Sequence, residues 1–181
     1  MSLFTPEFED KLKKLKGDAA RASEMEHAIR HEIHVRLEED PAFYESLRER
    51  LEKLIADRRE KRLEASKQLQ LFEELLSEMR GHGQAAAELG LDETGLAVYG
   101  LLTGKRAKGS VDEAKKELTE LILEQLRPQL GIVDWAKKDD VQREVRRLLK
   151  RQLKAAGYAA NKVDSLTTEI VELLKVRRGR G

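Results

Sequence analysis

Apolar residues in this chain return at every third or fourth position, which lines one side of a helix, and no stretch alternates apolar with polar for long enough to build a strand. Aromatic residues make up only 4% of the chain and charged residues 38%, a balance that suits solvated helices better than strands of aromatic and β-branched runs. The expectation is an all-α protein: an irregular multi-helix bundle of about seven or eight helices, with a long charged helix or helix pair.

The punctuation marks of the helices can be read in order. Thr5-Pro6 is a cap followed by proline at the first helical position, opening a short helix with Phe8, Leu12 and Leu15 on one face and Gly17 at its end. From Asp18 or Ser23 to about Glu39, a stripe of Ala22, Met25, Ile29, Ile33 and Leu37 predicts a second helix. Asp40-Pro41 repeats the cap-then-proline pattern, and Leu47, Leu51, Leu54 and Ile55 continue an apolar face. Seven of the eight residues from Asp57 to Glu64 are charged, which is either a solvent-bridging segment of one long helix or a break between two, before Leu69, Phe72, Leu75, Leu76 and Met79 resume the stripe.

Gly81-His82-Gly83 reads as a stop and hinge. Asp92 is placed to cap a helix to about Leu102, weakened by Gly95 and Gly100, and Gly104 to Gly109 reads as an exposed loop. Ser110-x-x-Glu113 has the form of a capping box for a helix that Pro128 and Gly131 close. Asp139 or Asp140 caps the next helix, whose Val141, Val145, Leu148, Leu149 and Leu153 face inward, and a last helix is predicted from about Asn161 to Lys175. These marks divide the chain into N-terminal helices (4–80), a hinge with short helix and loop (81–109), a C-terminal bundle (110–176) and a basic tail (177–181), all within one domain. Residues 1–3 read as a cloning remnant.

Chemistry-bearing patterns are few. His27, His31 and His34 could share one helical face, but His31-Glu32-Ile33-His34 is one residue short of the zinc-protease pattern, and His27 and His31 enclose Ala28-Ile29-Arg30, with no Glu where the general base belongs. A polar helix face accounts for them without a metal. Gly104-Lys105 resembles the end of a phosphate loop, yet Tyr99 stands where the first glycine belongs and Arg106 where Ser or Thr belongs. The chain has no cysteine, so it holds no thiolate metal site, thiol nucleophile or disulfide, which agrees with a cytoplasmic setting. No run approaches the roughly 18 apolar residues that suggest a membrane span. No catalytic residue, cofactor or metal is expected, and the chain by itself reads as a non-catalytic interaction domain.

Charge is unevenly spread. Residues 1–100 carry 16 Lys and Arg against 22 Asp and Glu, whereas 101–181 carry 19 against 12, so the halves are suited to different partners. Arg143, Arg147, Lys150 and Lys154 repeat on one helix face opposite the leucines, and Arg177 and Arg178 lie in the tail. Over 141–181 the count is 11 basic against 4 acidic side chains, either a stripe for duplex phosphates or a solvated face. Trp135, Phe43 and Tyr44 are either partner anchors or core plugs.

Two stretches carry a resemblance. The run from Ile29 through His31, His34, Arg36, Asp40-Pro41, Phe43 and Tyr44, with Leu47 and the segment from Leu51 to Ile55, resembles the C-terminal helical region of type I restriction enzyme R subunits. Val133-Asp134-Trp135, the helix with Val141, Arg146, Leu148, Leu149 and Lys150, and Gly157-Tyr158 are similar to the end of that region. Where the family pattern would place prolines after Tyr158, this chain has Ala159-Ala160-Asn161, which leaves the start of the last helix open. The resemblance implies a piece of a larger subunit whose nuclease and ATP-driven DNA translocase lie elsewhere in the polypeptide. It implies docking onto the methyltransferase (modification) subunit as the task, with the remainder of the R subunit as partner in cis. The candidate partner surface comprises His31, His34, Arg36, Phe43, Tyr44 and Trp135. Candidate contacts to duplex DNA are Arg143, Arg147, Lys150, Lys154, Arg177 and Arg178.

Overall fold

The computed structural model describes residues 3–104 and 111–178. Eight α-helices and one short 3-10 turn account for the regular structure there, with no strand among the described residues. They are α1 (Pro6–Lys14), α2 (Asp18–Arg36), α3 (Pro41–Arg59), α4 (Ala65–Leu89), α5 (Glu93–Thr103), α6 (Glu113–Leu130), the 3-10 turn Trp135–Lys137, α7 (Asp139–Ala155) and α8 (Ala160–Arg178). The chain divides into two compact units, one of Met1–Leu37 and Tyr44–Ala85, the other of Glu38–Phe43 and Ala86–Gly181.

In the first unit, Leu3, Phe8, Met25, Ile29, Ile33, Leu47, Leu51, Phe72, Leu75 and Met79 are buried. Leu3, read from sequence as part of a remnant, is thus packed in the core. Ion pairs run from helix to helix around this unit: Lys11 to Glu24, Arg30 to Glu52 at 2.8 Å, Arg50 to both oxygens of Glu78 at 2.6 and 2.8 Å, and Arg80 to Glu9 at 3.0 Å. The Glu78 carboxylate raises the pKa of the Arg50 guanidinium. Exposed pairs of this kind add little stability singly, so the apolar stripes carry the fold.

The charged stretch after α3 is a break between two helices. Lys61 adopts a left-handed conformation at φ 59°, its N–H bonds back to Arg58 and that of Arg62 to Asp57, a Schellman closure made without glycine. The expected stop at Gly81-His82-Gly83 is absent: α4 continues through these residues to Leu89. A glycine in helical conformation weakens a helix by about 1 kcal/mol without ending it. Ala86 is buried and Leu89 half-buried farther along, which explains why the helix persists. Gly90 supplies the stop, at φ 68°, with Leu91 N–H bonded to Ala86 and Gly90 N–H to Ala87.

The second unit is built on α5, α6, α7 and α8, with α5 packed against α6 and α8, and α7 against the same two. Their shared core holds Val98, Leu102, Ile122, Leu126, Val145, Leu149, Leu153, Leu166, Ile170 and Leu174. The glycine-bearing α5 is its most enclosed element, buried from Thr94 to Gly100 and again at Leu102. Gly100 permits a close approach: a Cβ there would lie 3.3 Å from that of Ala42. Tertiary burial here overrides weak helix propensity.

Further corrections follow from geometry. Asp112 caps α6 by accepting from Lys115 N–H at 3.1 Å, while Ser110 of the expected capping box lies outside the described residues, as do the loop residues 105–109. Pro128 sits inside the last turn of α6, and Gly131 ends that helix. Asp139 and Asp140 occupy the first turn of α7 rather than its cap. Gly157, at φ 91°, closes α7, with Tyr158 N–H bonded to Leu153 and the Tyr158 hydroxyl donating to the Leu102 carbonyl at 3.4 Å. The last helix begins at Ala160 and reaches Arg178, three residues farther than the stripe had indicated.

Candidate interaction surfaces

Two surfaces expected from sequence are resolved differently. On α2, the apolar stripe of Ala22, Met25, Ile29 and Ile33 turns inward, which places His27, His31, His34, Val35 and Arg36 outside. Val35 is 56% exposed, and the Arg36 guanidinium is paired with the largely buried Glu32 carboxylate. Among the described residues no group of three His, Asp or Glu stands where it could hold a metal ion.

Phe43 and Tyr44 are buried at 8% and 6% exposure. They form part of the packing at the start of α3 rather than an open partner surface. In the second unit the Asp40 side chain accepts from Phe43 N–H at 3.4 Å, a capping contact. In the first, Tyr44 meets His82 edge to face at 6.2 Å between ring centroids. Trp135 is likewise enclosed, at 1% exposure, and its indole N–H donates to the Arg178 carbonyl at 3.1 Å. It belongs to the core of the second unit, and the preceding Asp134 is left-handed at φ 54°, a conformation that Asp tolerates better than most residues.

The expected basic tail is also structural where it is described. Arg178 bonds to the Asp92 carboxylate at 2.8 Å, and the other oxygen of that carboxylate accepts from Gly95 N–H at 2.7 Å, capping α5. Arg177 donates to the Glu39 carbonyl and lies 3.8 Å from the Glu93 carboxylate, with only 15% of its side chain exposed. The end of α8 therefore fastens the start of α5 and the Trp135 turn within the second unit. Sequence spacing gave no sign of this, since the partners lie 43 to 138 residues away.

The stripe on α7 does form. Val141, Val145, Leu149 and Leu153 are buried, while Arg143, Arg147, Arg151 and Lys154 are exposed and Lys150 is half-exposed. Arg147 grips Glu144 through two bonds of 2.7 and 2.8 Å, which lowers the Glu144 pKa and raises that of Arg147. Lys150 lies 3.4 Å from Asp164 on α8. Arg143 and Lys154 have no ion pair among the described residues.

Fold and surfaces together define a class: an all-α protein, with no helix among the described residues long and apolar enough to cross a membrane. The chain belongs to the family described as type I restriction enzyme HindI endonuclease subunit-like, C-terminal, whose model matches residues 1–177. It is similar to a protein of Methanocaldococcus jannaschii bearing the name type I restriction enzyme MjaIXP endonuclease subunit, 27% identical over 160 residues. That match covers 87% of this chain but only 15% of the relative's length. No solved structure matches the chain.

Proposed function

We propose that this chain is the C-terminal assembly domain of a type I restriction enzyme R subunit, docking the nuclease and ATP-dependent DNA translocase onto the methyltransferase core. The family match and the short span within a much longer relative support the setting. The observation that carries the docking reading is the outward face of α2, where His31, His34 and Arg36 surround the exposed Val35. A polar surface with a desolvatable apolar centre is what a protein interface requires. On this reading the chain is itself non-catalytic, needs no cofactor and works in the cytoplasm beside the rest of its subunit. The test is to mix the chain with the methyltransferase core of its own system and follow complex formation by gel filtration and calorimetry. Co-elution and saturable heat are expected; no complex at micromolar concentrations would refute docking by this chain.

A second reading has its own observation. The α7 face leaves Arg143, Arg151 and Lys154 exposed beside Arg147, a geometry suited to duplex phosphates. Binding of this kind has little sequence preference and falls steeply with salt. Changing Arg143, Arg151 and Lys154 to Glu should abolish binding to a short duplex at low salt; unchanged binding would exclude this face. Arg177 and Arg178 are omitted because their guanidinium groups already have protein partners.

A further inference from the structure

From Arg143 to Lys154 the chain carries six basic side chains and a single acid, Glu144. The bases are not equivalent. Arg143, Arg151 and Lys154 are exposed and have no ion pair among the described residues, and Arg146, partly buried, lies at the edge of the stripe. Arg147 and Lys150, in the middle of the stripe, each lie against a carboxylate of the same unit: Glu144, one turn back on α7, and Asp164, across on α8.

A guanidinium grips a phosphate most strongly through two parallel N–H bonds. In Arg147 that edge is taken: Nε donates to one oxygen of Glu144 at 2.8 Å and Nη2 to the other at 2.7 Å. A phosphate must either displace Glu144 or meet the outer N–H groups of a guanidinium whose charge is already neutralised. The pairing also lowers the Glu144 pKa, so the competing charge is present throughout the neutral range. Lys150 Nζ lies 3.4 Å from the Asp164 carboxylate, a looser contact that offsets its charge in the same way. Both pairs are open to solvent and therefore weak, so removing either acid releases a base without disturbing the core.

We propose that Glu144 and Asp164 are built-in competitors of duplex phosphates, holding back Arg147 and Lys150 so that the α7 face engages DNA through Arg143, Arg151 and Lys154 alone. The proposal rests on the duplex reading of α7 above and adds to it the residues that limit its strength. Three phosphate contacts give log affinity a slope of about −2.7 against log salt, whereas all five bases would give about −4.5. Self-neutralisation of the two central bases thus keeps the face a weak, readily released contact.

The test measures binding to a short duplex of arbitrary sequence by fluorescence anisotropy across a salt series, for wild type, Glu144→Gln, Asp164→Asn and Glu144→Gln/Arg147→Gln. The altered side chains are at the surface, and circular dichroism melts should stay close to the wild-type value. Glu144→Gln should bind several-fold more tightly at low salt and steepen the slope by about 0.9, the mark of one more phosphate contact. Asp164→Asn should do the same through Lys150. Adding Arg147→Gln to Glu144→Gln should take the gained contact away again. Tighter binding with an unchanged slope, or a steeper slope that survives the loss of Arg147, would mean that Glu144 acts only as a nearby negative charge, and the proposal is wrong. Wild-type affinity and slope in both single variants would overturn it and leave the duplex reading of α7 standing. If neither the wild type nor the single variants bind the duplex at low salt, both fall.

Discussion

Replacing Trp135 with alanine separates two roles that sequence left open for this residue. An exposed anchor held for a partner would cost the isolated chain little on removal, within about 0.5 kcal/mol. The structure instead places Trp135 at 1% exposure in the core of the second unit, bonded to the Arg178 carbonyl at 3.1 Å. Truncating a buried tryptophan costs about 3–5 kcal/mol through lost apolar transfer and the cavity left behind. The indole bond adds about 1 kcal/mol. In a unit of roughly one hundred residues, each kcal/mol moves the melting midpoint by about 4–8 °C, so a fall of well over ten degrees is expected. The assay is urea and thermal unfolding followed by circular dichroism. Trp135→Phe, which keeps most of the volume and removes the N–H donor, should fall between wild type and alanine. In the wild type, emission from this single tryptophan should be blue-shifted until unfolding. A Trp135→Ala protein within 0.5 kcal/mol of wild type would refute the packing argument.

Three further outcomes follow from local geometry. Gly81→Ala should raise stability by up to about 1 kcal/mol, because Gly81 lies within α4 with open space around it, whereas Gly90→Ala should lower it by about 1 kcal/mol because its φ is 68°; urea midpoints of like sign for both would contradict the α4 boundary. Asp92→Ala removes the cap on Gly95 and should cost about 0.5–2 kcal/mol, with the exposed Arg178 pair adding little, as read in chemical unfolding. The Arg147 hydrogen bonds lower the pKa of Glu144, so their contribution to stability is complete above the ordinary carboxylate range and lost as pH falls through the lowered value; an NMR titration of Arg147→Gln should show the Glu144 pKa moving upward, and no movement would contradict the pairing.

The elements most legible in sequence are those whose burial is local to one helix. The four-residue spacing of Val141, Val145, Leu149 and Leu153 fixed both faces of α7, and all four are buried. Asp92 was recognisable as a cap because its acceptor serves an amide three residues on. Gly81 and Gly90 look alike in sequence, and only the continuing burial at Ala86 tells which one ends α4. The roles of Trp135, Arg177 and Arg178 were not legible, because each depends on a partner far along the chain. Polar spacing identified the exposed histidines of α2, but it could not tell that Phe43 and Tyr44, a turn into α3, face inward.

Hydrogen exchange of the chain, measured alone and with saturating methyltransferase core, tests the docking function most directly. Slowed exchange is expected in peptides covering His31 to Arg36, with α7 unchanged when no DNA is present. No protected peptide at saturation, or protection confined to α7, would contradict it.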